Sequence, residues 1–417
     1  MSKLLIKGGR SLYGEAEIKA AKNAVLPILA ATILTEDRCE ILNVPKITDI
    51  SNMLKILQTL GSEVSLKEGV ITVDNRDVNR HNVPNDLAKE LRSSFFLLGP
   101  ILGRMRRAVV AYPGGCDIGV RPLDIHIKGL REMGIAVEES HGMIYCDGSR
   151  LKGADILLDF PSVGATENLM MAAALAKGRT RIANAAKEPE IVDLQNFINA
   201  MGGKIQGAGS AVIEIEGVEK LHGCTYTPIP DRIVAGTMLI AGAVCGGEVT
   251  VRGAVPEHLE PLLFKLNKSS CFMRCRGDKI TVARKGGLRN LDKLETQPYP
   301  GFPTDLQSQI MVMMSVSEGT GVIVENIFET RFRIVRELMK MGAEITVRDR
   351  TAVIRGVNAL EGACVAARDL RGGAALVIAG ARADGYTTIE NVEHIDRGYE
   401  AIEELFTTLG AEVKRLK

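Results

Sequence analysis

Six positions carry charged or hydroxyl side chains at the start of an apolar segment of helical length, at intervals of roughly 70 residues. They are Lys22, Arg92, Ser162, Arg232, Thr304-Asp305 and Arg371. The N-terminus of a helix carries a partial positive charge, which disfavours Lys and Arg there. A single cation of this kind is explained by a solvated helix start. Four at equivalent positions favour an anionic substrate, because free helix amides also bind anions.

The segment Tyr112–Pro122 is the second candidate for chemistry. It contains three glycines around Cys116, as expected of a mobile lid. Arg121 follows Cys116 by five residues, and a nearby cation makes a thiol a better acid or nucleophile. A hairpin turn with an incidental cysteine is the alternative. No histidine is adjacent in sequence, and His126 and His394 remain candidate partners.

Four of the other thiols are expected to be inert. The chain has eight cysteines, widely spaced and without the pattern of a disulfide framework or a zinc site. We therefore expect reduced thiols, no metal and no cofactor. Burial is expected for the cysteines in or beside predicted strands and at the end of an apolar helix, namely Cys39, Cys146, Cys224 and Cys245.

One supersecondary pattern recurs six times and must position these residues. Each copy has an apolar helix ending in a Leu/Met-Gly turn and then a strand pair, about every 70 residues. The elements predicted for the first copy are helices at Lys22–Leu34 and Met53–Leu60, a strand at Glu40–Val44, and a hairpin of Glu63–Leu66 with Gly69–Val73. Gly61 is expected to stop the second helix in a left-handed conformation. The unit is therefore β-α-β-α-β-β.

Two copies are irregular. The fourth has Asn267-Lys268-Ser269-Ser270 instead of the glycine turn, and we expect it to bend differently. The sixth ends after Val413 without its final strand, which residues 1–20 are expected to supply by pairing with the C-terminal half. The stretch Pro228-Ile229-Pro230 marks the second crossing. We thus predict two domains of three repeats, 21–229 with the Cys116 segment and 1–20 plus 230–417, with the anionic substrate between them.

Composition indicates a globular enzyme that acts on small molecules. The 417 residues include 52 basic and 51 acidic ones, a balance that argues against a nucleic-acid surface. The apolar stretch Ala24–Leu34 contains Pro27 and is shorter than the ~20 residues that span a bilayer. No charged leader precedes an apolar run at the start. We expect a cytoplasmic monomer without membrane contact.

Several separate motifs resemble one family, the UDP-N-acetylglucosamine 1-carboxyvinyltransferases. They are Ala21-Lys22-Asn23, the Pro-Gly-Gly-Cys loop with Arg121-Pro122, Ser162-Val163-Gly164-Ala165-Thr166, Phe302-Pro303-Thr304-Asp305, Asp369-Leu370-Arg371 and His394-Ile395-Asp396-Arg397-Gly398-Tyr399. The resemblance implies a two-domain inside-out α/β barrel with six β-α-β-α-β-β repeats, helices inside and sheets outside. It also implies that the enolpyruvyl group of phosphoenolpyruvate is transferred to UDP-N-acetylglucosamine with release of phosphate, which opens peptidoglycan precursor synthesis.

The resemblance also implies roles for individual residues. Lys22, Arg121 and Arg397 would hold the phosphate of phosphoenolpyruvate, and Arg331 and Arg371 its carboxylate, since guanidinium forks suit both anions. Asp305 would be the base that deprotonates the 3′-hydroxyl of the sugar. Without the resemblance, a helix cap beside Thr304 is the simpler interpretation. Cys116 would protonate C3 and could form a covalent adduct with phosphoenolpyruvate or be alkylated by fosfomycin.

The nucleotide sugar is expected to contact a further set of positions. These are Asn23, Arg92, Arg121, Pro122, Leu123, Asp124, Ile125, Ser162, Val163, Gly164, Asp305, Ile327 and Asp369. Phe160 stands where some family members have a lysine, so the diphosphate charge would be met by Ser162, by the amides of Val163 and Gly164, or by other cations.

Three other functions remain open at this point. The first is enolpyruvyl transfer to shikimate 3-phosphate, by a sister family that lacks the Cys loop and has Lys-Ser where this chain has Lys22-Asn23. The second is an RNA-end-processing relative of the same fold, which the neutral charge disfavours. The third is a catalytically silent regulatory paralogue, which the filled catalytic positions disfavour.

Overall fold

The chain is described by a computed structural model over residues 2–83, 92–112 and 123–416. It divides into two compact units. The N-terminal unit contains the described residues from 20 to 229, and the C-terminal unit contains residues 2–19 and 230–416. Each unit has its own hydrophobic core.

Short strands dominate the element order. The strands are β1 (Lys3–Lys7), β2 (Leu12–Glu17), β3 (Cys39–Ile41), β4 (Glu63–Lys67), β5 (Val70–Asp74), β6 (Arg107–Ala111), β7 (Ala136–Ser140), β8 (Met143–Asp147), β9 (Asp155–Leu157), β10 (Arg179–Ala183), β11 (Lys204–Gln206), β12 (Val212–Glu216), β13 (Thr225–Tyr226), β14 (Gly247–Arg252), β15 (Phe272–Arg276), β16 (Lys279–Arg284), β17 (Lys293–Glu295), β18 (Thr320–Val324), β19 (Glu344–Arg348), β20 (Thr351–Arg355), β21 (Cys364–Ala366), β22 (Tyr386–Glu390) and β23 (Glu412–Leu416).

Helices alternate with these strands. The α-helices are α1 (Lys22–Ala31), α2 (Thr48–Leu60), α3 (Leu98–Met105), α4 (Asp124–Glu132), α5 (Val163–Ala174), α6 (Pro189–Ala200), α7 (Arg232–Cys245), α8 (Glu260–Lys268), α9 (Gln307–Ser315), α10 (Val335–Lys340), α11 (Leu370–Arg382), α12 (Glu393–Asp396) and α13 (Ile402–Thr408). Short 3-10 turns cover Thr32–Leu34, Arg92–Leu97, Pro256–His258, Thr304–Leu306 and Arg331–Ile334.

One complete repeat runs without interruption through β17, α9, β18, α10, β19 and β20. Its sheet has the order β17-β18-β20-β19, with β17 parallel to β18 and the other pairs antiparallel. The predicted β-α-β-α-β-β unit is confirmed. A parallel pair needs a crossover helix, whereas the last two strands need only a hairpin.

The same sheet order recurs around both units. It is found in β9-β10-β12-β11, β13-β3-β5-β4, β2-β14-β16-β15 and β21-β22-β1-β23, each with a parallel first pair. The sixth sheet has the order β6-β8-β7, and Asn82 forms a parallel bridge to Val109 on its free side. The topology therefore confirms six repeats.

The N-terminal strands complete sheets of the C-terminal unit, as predicted. β1 lies between β22 and β23, with Leu4 opposite Ile389 and Lys7 opposite Glu412. β2 pairs in parallel with β14, with Ala16 opposite Val251. Because β1 occupies the place that β20 takes in the uninterrupted repeat, the sheet of the sixth repeat, β21-β22-β1-β23, is completed by the first strand of the chain.

The first helix of each repeat forms the interior of its unit. In the C-terminal unit α7, α9 and α11 pack against one another, and almost all their side chains are buried. Strands such as β20 alternate buried and exposed residues, as expected of sheets with one face to solvent. Each fully buried Leu or Met contributes about 1.5–3 kcal/mol. Helices inside and sheets outside confirm the inside-out α/β architecture.

The helix-ending turns follow the glycine rule with one correction. Gly61 ends α2 with φ of 112°, and a Cβ there would lie 2.6 Å from the carbonyl oxygen of Asp77. In the fourth copy Ser270 takes the same left-handed region, with φ of 70°. The amide of Cys271 bonds to the carbonyl of Leu266, as that of Ser62 bonds to Leu57. The expectation of a different bend there is wrong, because that hydrogen bond holds Ser270 in a conformation that usually favours glycine.

Candidate active site

A carboxylate held by two arginines lies at the helix starts of the C-terminal unit. Asp305 belongs to the 3-10 turn before α9, and its Oδ1 accepts a hydrogen bond from Nη2 of Arg331 at 2.6 Å. Its Oδ2 accepts one from Nη2 of Arg371 at 3.0 Å. The three residues are far apart in sequence, and the fold brings them together. Both carboxylate oxygens are thus engaged by guanidinium groups, which the capping interpretation of Asp305 did not anticipate.

Backbone geometry fixes both arginines. Arg331 begins a 3-10 turn, and its Nε and Nη2 donate to the carbonyl of Thr304 at 3.2 and 3.1 Å. Arg371 is the second residue of α11, and the N-cap Asp369 accepts from the amides of Arg371 and Gly372 at 3.0 and 2.9 Å. Asp369 Oδ1 also lies 4.0 Å from Nη1 of Arg331. The predicted residues Asp305, Arg331, Asp369 and Arg371 therefore form one cluster.

Burial makes this cluster electrostatically strong. The side chains of Arg331 and Arg371 are 2% and 4% exposed, whereas that of Asp305 is 25% exposed. Burial lowers the pKa of Arg371, but the charges of Asp305, Tyr399 and Asp231 and the hydrogen bond to Asp305 together outweigh burial, so the pKa is raised. Nη1 of Arg371 is buried and has no hydrogen-bond partner among the described residues. The cluster therefore retains a buried donor suited to an anion.

Arg371 contacts the ring of Tyr399, whose hydroxyl belongs to a hydrogen-bonded group of buried polar side chains. Its guanidinium carbon lies 5.8 Å from the ring centre of Tyr399. The hydroxyl of Tyr399 lies 2.8 Å from Oγ1 of Thr237, and Nε2 of Gln309 donates to the same Thr237 oxygen at 3.1 Å. Burial raises the pKa of Tyr399, which keeps its hydroxyl neutral. These hydrogen bonds connect Thr237 of α7, Gln309 of α9 and Tyr399, which follows α12.

Arg397 lies directly after the short helix α12 and is half-buried. Arg415 anchors this helix, because its Nη1 and Nη2 donate to the carboxylate of Asp396, both at 2.8 Å. Its Nε and Nη2 donate to Glu403 at 2.6 and 2.8 Å. The hydrogen bonds that Arg415 donates to these two carboxylates raise its pKa. The residue before Arg397 is therefore anchored to the strand β23.

In the N-terminal unit, Lys22 is the first residue of α1 and is largely buried. Its Nζ donates to Oδ2 of Asp49, in the first turn of α2, at 3.0 Å. Asn23 follows it on the same helix and is partly buried. A carboxylate thus compensates this cation as Asp305 does the arginines. Asp49 was missed by the sequence analysis, although an acidic residue in the first turn of a helix is a known preference.

The Ser162–Gly164 segment begins α5. Ser162 is the N-cap, and its Oγ accepts from the amide of Ala165 at 3.3 Å. A Cβ on Gly164 would lie 3.3 Å from Cε1 of His126 and 3.5 Å from Cε1 of Phe96. His126 is buried, and its Nδ1 lies 3.1 Å from Nδ2 of Asn168. The α5 N-terminus is therefore closely packed around the glycine.

The other nucleotide positions are located only in part. Leu123, Asp124 and Ile125 lie at the start of α4, and Ile327 follows β18, where its amide donates to Oε1 of Glu325 at 2.8 Å. Arg92 begins the 3-10 turn before α3. The predicted residues outside the described part of the chain are Cys116, Arg121 and Pro122. Their roles stay predictions.

The Phe160 segment has a cation that the sequence analysis missed. Phe160 is 45% exposed, and the neighbouring Asp159 accepts from Nζ of Lys128 at 2.8 Å. Hydrogen bonding to Asp159 raises the pKa of Lys128. Lys128 is one turn along α4 from Asp124. This helical spacing from a predicted nucleotide contact could have indicated Lys128 from the sequence.

Buried carboxylates were also missed. Glu167 lies within α5, and neither of its oxygens has a hydrogen-bond partner among the residues described. Burial, and then the charges of Glu190 and Glu188, raises its pKa well above the ordinary value. The signal was an acidic residue inside an otherwise apolar helical segment.

The thiols behave largely as predicted. Cys39, Cys146, Cys245 and Cys271 are buried, and burial raises the pKa to about 12 for Cys146 and Cys245 and to about 11 for Cys271. The prediction that Cys224 is buried is wrong, because this residue is only half-buried and a hydrogen bond from Cys39 lowers its pKa. Burial alone therefore does not make Cys224 inert.

The described residues provide neither a metal site nor a membrane-spanning helix. No group of three or more His, Cys, Asp or Glu side chains among them is arranged to hold a metal ion. Within the same residues, no helix is long and apolar enough to cross a membrane.

Known proteins resemble the chain over its full length. The family model of EPSP synthase (3-phosphoshikimate 1-carboxyvinyltransferase) matches residues 6–406. UDP-N-acetylglucosamine 1-carboxyvinyltransferase 2 of Caldanaerobacter subterraneus subsp. tengcongensis is 52% identical, with 100% of each chain covered. UDP-N-acetylglucosamine 1-carboxyvinyltransferase 1 of Carboxydothermus hydrogenoformans is 49% identical, covering 100% of this chain and 99% of the relative.

Solved structures share the fold. The enolpyruvyl transferase NikO from Streptomyces tendae has a TM-score of 0.88 at 23% identity, covering 99% of this chain and 98% of that one. EPSP synthase from Acinetobacter baumannii has a TM-score of 0.76 at 17% identity, with 100% of both chains covered. With the six repeats and the full-length identity to named relatives, the chain belongs to the enolpyruvyl transferase family, among the UDP-N-acetylglucosamine 1-carboxyvinyltransferases.

Proposed function

We propose that this chain transfers the enolpyruvyl group of phosphoenolpyruvate to the 3′-hydroxyl of UDP-N-acetylglucosamine and releases phosphate, in the cytoplasm and as a monomer. The observation that carries the proposal is the cluster of Asp305, Arg331 and Arg371 at the helix starts of the C-terminal unit. It combines buried cations for an anionic substrate with a carboxylate for proton transfer. The names of the full-length relatives support this acceptor.

The arginines suit the carboxylate of phosphoenolpyruvate. Arg371 has a buried Nη1 without a partner in the described residues, and Arg331 donates to Asp305 through Nη2. A substrate carboxylate that takes donors from these side chains would compete with Asp305 for them. Phosphoenolpyruvate binding would then free an oxygen of Asp305 to act as a base.

The phosphate needs cations of its own. We propose Lys22, Arg121 and Arg397 for this role. Lys22 is paired with Asp49 in this structure, so the phosphate would share or replace that pair. Several fixed cations close to the phosphate stabilise the negative charge that develops on it as it leaves. They lower the activation barrier because they are already in place and need no reorganisation.

The reaction follows as addition and elimination. Asp305 takes the proton of the 3′-hydroxyl, its oxygen bonds to C2, and C3 gains a proton from Cys116. In the elimination the Cys116 thiolate takes a proton back from C3 of the tetrahedral ketal, the bond between C2 and the phosphate oxygen breaks, and phosphate leaves with the proton that Asp305 had taken up. Each proton transfer to a positioned group contributes typically ~10²–10⁴-fold.

The nucleotide sugar is proposed to lie against the starts of α4 and α5. The amides of Val163 and Gly164 in the first turn of α5 suit its diphosphate, and Gly164 permits a close approach of the backbone. The remaining proposed contacts of the nucleotide sugar are Asn23, Arg92, Pro122, Leu123, Asp124, Ile125, Ile327 and Asp369.

The first alternative is enolpyruvyl transfer to shikimate 3-phosphate. The matching family model carries the name of that activity, which is the observation in its favour. Identity to the solved EPSP synthase is only 17%, against 52% and 49% to the UDP-N-acetylglucosamine enzymes. Asn23 beside Lys22 also departs from the sister family.

Phosphate release decides between these functions. The purified chain is incubated with phosphoenolpyruvate and UDP-N-acetylglucosamine, with shikimate 3-phosphate, or with no acceptor. We expect release only with the nucleotide sugar, and mass spectrometry should find its enolpyruvyl ether. Release only with shikimate 3-phosphate would establish the alternative. Binding of UDP-N-acetylglucosamine without turnover would indicate a silent paralogue.

A further inference from the structure

Glu325 is a buried carboxylate that none of the proposed catalytic roles uses. It directly follows β18 and is 1% exposed. Its Oε1 accepts hydrogen bonds from Oγ1 of Thr296 at 2.8 Å and from the amides of Ile327 and Phe328 at 2.8 and 3.0 Å. Its Oε2 accepts from Oγ1 of Thr304 at 3.0 Å.

These four hydrogen bonds join three separate segments. Thr296 follows β17, the parallel neighbour of β18, so the carboxyl ends of both strands meet at Glu325. Thr304 opens the 3-10 turn that contains Asp305. Ile327 and Phe328 begin the loop that leads to Arg331. One carboxylate thus links the peptide before Asp305 to the segment before its arginine partner.

The link continues directly into the cluster. The carbonyl of Thr304 accepts from Nε and Nη2 of Arg331, and the same Nη2 donates to Asp305. Glu325 therefore holds the side chain of Thr304 while Arg331 holds its carbonyl. If Glu325 is removed, the Thr304 turn can shift relative to the loop that leads to Arg331.

We infer that Glu325 is a positioning residue, which sets the geometry of Asp305 and Arg331 through Thr304 and the 326–330 loop. This role rests on the proposed function of the cluster. Because Glu325 acts through other residues, its contribution lies in distance and orientation, and a displacement of about 1 Å can cost ~10²-fold in rate.

Two substitutions separate this role from ordinary stability. Glu325→Ala removes all four hydrogen bonds. Glu325→Gln keeps one oxygen for the Ile327 and Phe328 amides, and its NH2 group can donate to Thr304, whose hydroxyl can rotate to accept. The Glu325→Gln variant should therefore keep most of the hydrogen bonds that the Glu325→Ala variant loses.

Glu337 supplies a matched control. It is also a buried glutamate of the C-terminal unit, and its Oε2 accepts from Nζ of Lys340 at 2.6 Å and from the amide of Ala366 at 3.1 Å. Glu337→Ala therefore removes the hydrogen bonds of another buried carboxylate, neither of which involves Thr304 or the 326–330 loop.

The experiment measures kcat, KM and melting temperature for wild type and the three variants, with phosphate release from phosphoenolpyruvate and UDP-N-acetylglucosamine as the assay. We expect kcat to fall ~10²-fold in Glu325→Ala and to stay within about 3-fold of wild type in Glu325→Gln and Glu337→Ala. Thr304→Val is the milder fourth variant and should lower kcat roughly 10-fold, should Glu325→Ala fail to fold.

Hydrogen exchange gives a readout independent of turnover. Mass spectrometry of the peptide containing Ile327 and Phe328 should show faster amide exchange in Glu325→Ala than in Glu337→Ala. Equal kcat in those two variants, or a Gln variant as slow as the Ala variant, would overturn the positioning role. A wild type that releases no phosphate would instead refute the proposed function and leave the exchange result to judge Glu325.

Discussion

Asp305→Asn is the sharpest test of the proposed base. The carboxylate contacts two buried arginines, Arg331 at 2.6 Å and Arg371 at 3.0 Å. Asparagine has the same shape, but one of its two groups is an NH2 donor. Because a guanidinium offers only donors, the amide can keep one arginine and must face the other without a bond.

The expected loss of stability follows from this geometry. Breaking a fully buried ion pair costs about 3–5 kcal/mol. One of two pairs is kept and the Asp305 side chain is 25% exposed, so we expect about 2 kcal/mol. For a unit of this size that corresponds to a fall in melting temperature of about 4–8 °C. The protein should remain folded at 25 °C.

The catalytic loss should be larger and separable. If Asp305 takes the proton of the 3′-hydroxyl, kcat falls by at least ~10²-fold, while calorimetry finds nucleotide-sugar affinity nearly unchanged. Glu337→Gln is the control, since it weakens another buried carboxylate with little expected effect on kcat. An Asp305→Asn variant that keeps wild-type kcat would refute the base and leave Asp305 as a structural partner of the arginines.

Three further predictions concern the N-terminal unit and the Cys116 segment. Peptide mapping after fosfomycin treatment should find the label on Cys116, and Cys116→Asp should keep some activity and lose fosfomycin sensitivity; a label elsewhere contradicts this. Glu167→Gln should stabilise the protein at pH 8 but not at pH 5, because a buried carboxyl with a raised pKa makes wild type less stable as pH rises above about 4.5. Melting curves check this. The control is the partly exposed Glu214, whose pKa is lowered by its partner Arg179, and Glu214→Gln should show no such gain. Gly164→Ala should raise KM for UDP-N-acetylglucosamine, because its Cβ would crowd the His126 ring at 3.3 Å; Gly286→Ala, with open space around it, should leave KM unchanged.

Much of the fold was predictable because its determinants are local. The apolar periodicity of each copy and the glycine at position 61 predicted α2 and its left-handed end. Matches between the N-terminal segment and other final strands predicted the pairing of β1. Element bounds were less accurate, since α2 begins at Thr48 and β3 covers only Cys39–Ile41. The expectation for the Ser270 turn was wrong because the local hydrogen bond from the Cys271 amide to the Leu266 carbonyl, which the residue type alone does not reveal, holds Ser270 in the conformation that glycine usually takes.

The candidate site was predictable as a set of residues but not as contacts. Equivalent positions in the repeats indicated that cations would gather at helix starts, and the motifs indicated which ones. The pairing of Asp305 with both Arg331 and Arg371 was not evident, because it joins segments 26 and 66 residues apart. Cys116 and Arg121 lie outside the described residues, so their roles rest on the motifs.

The sequence by itself determined the repeat, its strand and helix order and the chemical types available, since apolar spacing and turn residues act within one copy. Only the tertiary structure decided which charges compensate each other. Asp305 holds two arginines, Asp49 holds Lys22, and Glu325 gathers three segments. These partners come from different elements, and a buried charge is stable only where packing brings an opposite charge or a donor within about 3 Å.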